Sequence, residues 1–258
     1  MGTEAWGVSA AVALICWAAG TAAAGASAWP TLEGQGQVIL KLETERATLA
    51  LDDRGLAFPI PHQTTTALDL DGDYGLTRDL SLQFVAGLEH TRLGSREADR
   101  VGGFAAGLRY GLAHLSGGHV SAYAGVTAAA AREGRRPDIA VGPAGGELRI
   151  LAGQSLRPFG HELFAEVQAA RLFGAGPARQ VRIDSTLGVQ IRPRLLALTQ
   201  VYSGRQEGRP SGASWVKLDQ SLVRSIGAWR VQVGWRHLLA GRNIAASSGP
   251  LIGVWRSF

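Results

Sequence analysis

The feature that most constrains this chain is a side-chain alternation of period two that recurs along almost its whole length. In the segment 79–91 one parity carries Leu, Leu, Phe, Ala and Leu, and the other carries mainly polar residues and glycine. Segments 181–191 and 229–236 alternate in the same way. This period predicts β-strands with one apolar and one polar face. The 35 glycines among 258 residues also disfavour long helices, because an interior glycine costs about 1 kcal/mol relative to alanine.

The length of the alternating segments separates a soluble sandwich from a membrane barrel. Sandwich strands usually have about five or six residues, whereas a tilted transmembrane strand needs about 9 to 11. We predict an all-β fold, a transmembrane antiparallel up-and-down β-barrel of about twelve strands. The predicted strands are 36–47, 63–74, 79–91, 101–115, 118–130, 145–156, 159–172, 179–192, 194–205, 214–226, 228–240 and 249–258.

The connections between these segments alternate between short and long. Tight turns are predicted at 75–78, 116–117, 157–158, 193 and 227, and longer polar loops at 48–62, 92–100, 131–144, 173–178, 206–213 and 241–248. Short turns on one rim, long loops on the other and both termini on the short-turn side are typical of outer-membrane barrels.

The N-terminus predicts export. An apolar run from Val8 to Ala24 leads into Ala26-Ser27-Ala28, which fits a signal peptide over 1–28 with an A-x-A cleavage site and a barrel domain over 29–258. An uncleaved anchor helix is the alternative. The 230 mature residues would carry 26 basic and 20 acidic groups and no cysteine, so disulfides are excluded. We expect the cell outer membrane as the location.

Several stretches resemble a known group of proteins. They are Trp29-Pro30 followed by EGQGQVI at 33–39, YGLTRDL at 74–80, and the segment 234–258 with GWR, GRN and VWRSF. They resemble a group of uncharacterised proteobacterial outer-membrane β-barrel proteins, some of them loosely similar to barrels of aromatic-degradation operons. The resemblance implies architecture and location and brings no catalytic residue. The C-terminal Phe258 likewise resembles the sorting signal that such barrels present to the barrel-assembly machinery.

The polar parity predicts what faces the lumen. Seven basic and nine acidic side chains fall on it, and this near balance argues against a strongly ion-selective pore. One interpretation is a porin-like transport path that binds or conducts a small polar solute, with Arg182, Arg230 and Arg236 positioning its acidic or hydroxyl groups. The other is a structural or surface-interaction barrel whose interior is filled and does not conduct. The predicted lumenal residues are Lys41, Glu43, Asp69, Asp71, Glu89, Arg109, Glu147, Arg149, Glu162, Glu166, Arg182, Asp184, Lys217, Asp219, Arg230 and Arg236.

The outer surface and the loops predict contacts with the membrane. Seven aromatic residues near strand ends are expected to form interfacial girdles: Trp215, Trp229, Trp235, Trp255, Tyr74, Tyr110 and Phe258. Arginines in the long loops, such as Arg92, Arg96 and Arg242, are expected to meet lipopolysaccharide phosphates. Outer-membrane lipids and lipopolysaccharide are therefore the expected partners. Nucleic acid is not expected, since acidic residues interrupt the basic loops and no binding motif is present.

No motif specific for catalysis or metal binding stands out. His237 with Ser247 and Ser248 is the one arrangement that suggests a lipid hydrolase, and it is a third hypothesis. His114 and His119 flank a tight turn, but two imidazoles without a third ligand make a weak metal site. The acidic run 69–73 fits a strand better than a calcium loop. We expect a protein that is not an enzyme, with no catalytic residue, metal or cofactor.

Overall fold

In the computed structural model the chain is described over residues 28–131, 140–141, 145–174, 179–207 and 212–258. The predicted signal peptide lies outside these ranges except for Ala28. The strands are β1 (Gly36–Leu51), β2 (Ala57–Gly75), β3 (Leu80–Leu93), β4 (Arg96–Leu115), β5 (Gly118–Ala131), β6 (Ala140–Val141), β7 (Gly145–Leu156), β8 (Leu163–Phe173), β9 (Gln180–Arg192), β10 (Leu195–Gln206), β11 (Ser214–Ile226), β12 (Trp229–Arg242), β13 (Ile244–Ala245) and β14 (Ser248–Ser257). A short 3-10 turn occupies Pro158–Gly160. None of the helical structure in the described part of the chain is long and apolar enough to cross a membrane.

The sheet closes on itself. Each long strand pairs antiparallel with the next along the chain, and β1 pairs with both β2 and β14. The closing seam ends where Gly36 donates its N–H to the Phe258 carbonyl at 2.8 Å and accepts from the Phe258 N–H at 3.0 Å. Twelve long strands thus form the closed barrel that the alternation predicts, and each of these twelve pairs with a neighbour on both sides.

The two faces of the wall follow the predicted parity. On β12, Gln232 is 2% exposed, whereas its neighbour Val233 is 57% exposed. Large apolar side chains are likewise exposed outside along β3, β7, β9 and β14. The outer surface of the barrel is therefore apolar and its interior polar, as a transmembrane barrel requires.

Tight turns lie on the rim that carries both termini, the periplasmic rim by analogy with other such barrels. Gly117 and Gly227 have φ of 71° and 61°, a left-handed conformation that glycine adopts without steric cost.

On the opposite rim the predicted loops 48–62 and 92–100 are wrong, because the strands continue through them. Only Asp52–Leu56 separates β1 from β2, and only residues 94–95 separate β3 from β4. Pro59 and Pro61 interrupt the alternation that the sequence analysis used, but β2 accommodates them next to a register shift between Ala47 and Leu49. Much of the predicted loop 131–144 lies outside the described residues.

Residues Ala28–Gln35 are called here the N-terminal segment; Ala28–Thr31 lie inside the barrel at the periplasmic end, and Leu32–Gln35 are exposed at its rim. Ala28 is fully buried, and an isolated bridge joins Glu33 to Gly75 of the wall. The sequence analysis did not predict this placement.

Candidate functional site: the barrel interior

The middle of the interior holds a network of six charged side chains, called here the central network. Its members come from β1, β11 and β12: Lys41, Glu43, Glu45, Lys217, Asp219 and Arg236. Their formal charges cancel, and their salt bridges link β1 to β12 and β11, which lie on the two sides of β14, so the pairs brace this part of the wall.

Arg236 is the centre of this network. Its Nε and Nη2 donate to the two carboxylate oxygens of Asp219, each at 2.6 Å, and its Nη1 donates to Glu43. Glu43 also forms a salt bridge with Lys41, whose Nζ lies 2.7 Å from Glu43 Oε1. The fork of the guanidinium matches the carboxylate, which is the geometry in which arginine binds most strongly. The Tyr202 ring lies 5.2 Å from the guanidinium carbon of Arg236.

A second, smaller network occupies the opposite wall. Arg182 Nη2 lies 2.6 Å and Arg149 Nε 3.1 Å from the same oxygen of Glu147. The Arg149 guanidinium stacks 3.9 Å from the centroid of the Tyr123 ring. Asp184, on the same strand as Arg182, accepts from Gln168 Nε2 at 3.4 Å.

The periplasmic part of the interior holds the N-terminal segment. Arg109, which has no exposed surface, forms a 2.7 Å salt bridge with Asp73. Thr31 joins this pair, since its hydroxyl donates to Asp73 and lies 3.4 Å from Arg109 Nη2. The Thr31 N–H donates to Ser81 Oγ at 3.0 Å.

The wall is shaped to receive this segment. A Cβ atom on Gly153 would collide with the Trp29 ring, and one on Gly75 would collide with the carbonyl groups of Thr31 and Leu32. Trp29 also packs against the buried cluster that contains Leu151 and Tyr123. The segment therefore packs closely against the wall, and Gly75 and Gly153 leave the space that it occupies.

Most of the predicted lumenal residues face the interior, and Glu162 does not. Glu162 lies at the periplasmic turn outside β8, exposed and paired with Arg157 at 2.6 Å. The period-two alternation does not apply to Glu162, because this residue precedes β8. The sequence analysis missed two interior acids, Glu45 and Asp73, although each continues the parity of its neighbours on β1 and β2.

Three interior side chains have neither a salt bridge nor a side-chain hydrogen bond within the described residues. Asp69 and Asp71 line one wall on β2, where Asp69 lies opposite Lys41 in the ladder. Arg230 lies near the periplasmic end of β12, with a buried Nη1 that has no hydrogen-bond partner. Of the arginines expected to position a solute, Arg182 and Arg236 are paired with carboxylates and Arg230 is not.

Without Glu162 and with Glu45 and Asp73, the interior set has ten acidic and seven basic members among the described residues: Lys41, Glu43, Glu45, Asp69, Asp71, Asp73, Glu89, Arg109, Glu147, Arg149, Glu166, Arg182, Asp184, Lys217, Asp219, Arg230 and Arg236.

Of the seven aromatic residues predicted to form the girdles, five face outward, and two tryptophans do not. Trp229, Trp235, Tyr74, Tyr110 and Phe258 are exposed on the outer surface. Trp255 is only 4% exposed and donates its indole N–H to Gln232 at 3.1 Å inside the barrel, and Trp215 is half-buried over Gly204. Both have the inward parity of their strands.

The other motifs lie as follows. His114 and His119 are cross-strand neighbours with ring centroids 4.3 Å apart, and the described residues contain no cluster of three side chains that could hold a metal. His237 is exposed on the outer face, whereas the Ser247 hydroxyl donates to Glu45 inside. Ser248 lies opposite His237 in the ladder.

Comparison with known proteins shows the fold. No protein-family model matches the chain, and no curated protein matches its sequence. The barrel is similar to the COG4313 outer membrane channel from Pseudomonas putida F1, with a TM-score of 0.64, 15% identity and coverage of 90% of this chain and 98% of that one. It is also similar to LpxR from Salmonella typhimurium, with a TM-score of 0.52, 6% identity and coverage of 84% and 99%. The β-domain of the Bordetella autotransporter BrkA has a TM-score of 0.50, 12% identity and coverage of 86% and 99%. The chain thus shares the fold of outer-membrane β-barrels, and its apolar outer surface fits a lipid environment.

Proposed function

We propose that this protein is an outer-membrane barrel that conducts small polar solutes through its interior, and that the N-terminal segment closes this pathway. The observation that carries the proposal is the close packing of Trp29 and Thr31 against Gly153 and Gly75 of the wall. The inner part of the segment, Ala28–Thr31, takes no part in the backbone ladders of the wall, so it can leave without breaking them.

The contacts of the segment support this role. The wall is held by continuous ladders of backbone hydrogen bonds, whereas the described polar contacts of Ala28 and Thr31 are a few bonds to Glu166, Ser81, Asp73 and Arg109. Each such bond contributes about 1 kcal/mol net, or about 1.5–3 kcal/mol when charged. The closed state is therefore far weaker than the barrel itself.

The interior charges support a polar pathway. A solute that enters meets Asp69, Asp71 and Arg230, which have no salt bridge of their own in the described structure and can bind hydroxyl or charged groups. Because interior acids outnumber bases, we expect a weak preference for cations over anions. The channel from Pseudomonas putida has a similar barrel and gives the proposal a precedent.

Planar-bilayer recording of Gly153→Leu tests the proposal. The added side chain would occupy the place of the Trp29 ring, so we expect discrete conductance steps that are larger or more frequent than in the wild type. Gly146→Leu is the matched control, because it lies on the same strand with the opposite parity and its Cβ meets no atom closer than 3.7 Å. A correctly folded Gly153→Leu barrel that stays silent contradicts conduction, and one that conducts no better than Gly146→Leu contradicts closure by the N-terminal segment.

The alternative is a filled, non-conducting scaffold for structure or surface interaction. It is favoured by the near-complete burial of Arg109 and Asp219, at 0% and 1% exposure. In this case Arg182→Gln, which breaks the pair with Glu147, would lower the unfolding temperature and leave solute uptake by cells unchanged. Altered uptake in that variant would favour the channel.

We also propose two partners. The exposed arginines of the outer rim, Arg92, Arg96, Arg205 and Arg242, would bind lipopolysaccharide phosphates in the surrounding leaflet. Phe258, exposed at the end of the closing seam, would be recognised by the barrel-assembly machinery.

A further inference from the structure

Two arginines lie on the outer, lipid-facing side of the barrel near the periplasmic rim. Arg224 on β11 and Arg256 on β14 have the outward parity of their strands. Trp229 is on β12, the strand between them, where it is 49% exposed and lies directly opposite Arg256 in the ladder. The guanidinium carbon of Arg256 is 5.0 Å from the centroid of the Trp229 ring, which is a cation-π contact. These three side chains are called here the arginine patch.

The surroundings of Arg224 are apolar. Along β11 it stands between Leu222 and Ile226, which are 50% and 58% exposed on the same face. Its cross-strand neighbours are Leu195 on β10 and Val231 on β12. A charged side chain on the lipid face of a barrel is tolerated only near the interface, where its head reaches the lipid headgroups. The guanidinium of Arg224 therefore lies at the level of the headgroups, with acyl chains beside it.

The protein itself supplies no anion to this patch. The outward positions of β1, β10, β11, β12 and β14 carry no aspartate or glutamate. Neither Arg224 nor Arg256 forms a salt bridge within the part of the chain that the structure describes. Arg157, by contrast, lies on the same rim and is paired with Glu162 at 2.6 Å. The phosphates of the surrounding lipids are the anions that remain within reach of the patch.

The spacing of the two arginines fits a single lipid headgroup. They are two strands apart and offset by two residues in the ladder. With about 4.8 Å between strands and about 3.3 Å per residue, their Cα atoms are about 12 Å apart. Two long side chains can close this distance, and a guanidinium binds phosphate through two parallel hydrogen bonds. Trp229 lies between them, in the position at a membrane interface that tryptophan favours.

We propose that the arginine patch is a binding site for an anionic phospholipid of the periplasmic leaflet, whose phosphate is held by Arg224 and Arg256. Two cations without a protein carboxylate favour a lipid with a net negative charge over one whose phosphate is neutralised by its own ammonium group. Free phosphate offers the same oxygen atoms, but only a lipid also has acyl chains for Leu222, Ile226 and Val231. The bound lipid would lie beside the closing seam, against β11, β12 and β14.

Native mass spectrometry of the folded barrel in a non-ionic detergent tests this site. The protein is titrated with phosphatidylglycerol or phosphatidylcholine, and the bound lipids are counted. We expect one phosphatidylglycerol per barrel at concentrations at which phosphatidylcholine is not retained. Arg224→Gln and Arg256→Gln should each bind phosphatidylglycerol about fivefold more weakly. Arg157→Gln is the matched control, because it removes the same charge from the same rim and should bind like the wild type.

Four results would overturn the proposal. They are equal retention of the two lipids, wild-type binding in both Arg224→Gln and Arg256→Gln, an equal loss in Arg157→Gln, which would show an effect of net charge alone, and displacement of the lipid by millimolar inorganic phosphate, which would identify the free ion as the ligand.

Arg224→Lys gives a second test if a glutamine variant does not fold. It keeps the charge and loses the planar fork, so it should still bind phosphatidylglycerol more weakly than the wild type, and equal binding would refute the phosphate contact. These measurements do not depend on conduction, so a silent barrel leaves them valid.

Discussion

The replacement Arg236→Gln tests the central network most sharply. It removes the cation that binds Asp219 through two 2.6 Å hydrogen bonds and also contacts Glu43. Asp219 is 1% exposed, so water cannot replace the lost charge. Glu43 keeps Lys41 at 2.7 Å, which limits the damage on that side.

The expected loss follows from the burial of the pair. At an effective dielectric constant of about 20, two charges about 4 Å apart attract by about 4 kcal/mol. Removing one partner of a buried pair costs about 3–5 kcal/mol, because the other charge stays buried and uncompensated. Every 1.4 kcal/mol is tenfold, so the unfolding equilibrium should shift by more than about a hundredfold.

Urea unfolding in lipid vesicles, followed by tryptophan fluorescence and gel mobility, measures this shift. Arg157→Gln is the control, because it breaks a pair of the same 2.6 Å length with Glu162 in which both side chains are 47% exposed. Exposed pairs contribute about 0–1 kcal/mol. If Arg236→Gln loses no more stability than Arg157→Gln, the argument that the central network braces the barrel is refuted.

Three further predictions concern the rims and the outer face. The hydrogen bond from Arg171 holds the pKa of Glu207 below its ordinary value, so this pair stabilises the barrel above that value and loses its effect as the pH falls through the lowered one. Acid unfolding curves of wild type and Glu207→Gln should therefore converge at low pH, and curves separated by a constant amount would contradict this. His237→Ala should leave lipid turnover in membranes unchanged, whereas a clear decrease would support the hydrolase hypothesis. Deletion of Phe258 should lower the amount of folded barrel in the outer membrane, seen by heat-modifiable gel mobility, and an unchanged amount would exclude its role in assembly.

The wall of the barrel could be predicted from the sequence because lipid outside and polar groups inside impose period two on every strand. The same parity would have placed Glu45, Asp73 and Trp255 inside, since each continues the inward set of its strand. Strand ends were harder to predict. Pro59 and Pro61 interrupt the alternation where β1 and β2 continue through 48–62, although Leu49 and Phe58 there are apolar and exposed.

The N-terminal segment could not be predicted by periodicity. Its position depends on individual contacts of Ala28, Trp29 and Thr31 with residues distant in sequence. A glycine at 153, within a strand, was a signal of close approach by another part of the chain, but it does not say which part. The pairing of interior charges was equally hidden, because partners such as Glu43 and Arg236 are far apart along the chain.

A labelling scan along β9 tests most directly the claim that one face of each strand contacts lipid and the other lines a polar interior. The only cysteine, Cys16, lies in the predicted leader, so single cysteines can be placed at each position from Val181 to Gln190 and labelled with a small fluorophore. Brominated acyl chains should quench the label at odd-numbered positions. At even-numbered positions these lipids should not quench it, and the label should either be quenched by a water-soluble quencher or stay unquenched. Lipid quenching that does not alternate, or that is absent at Ile183 and Leu187, would contradict the account.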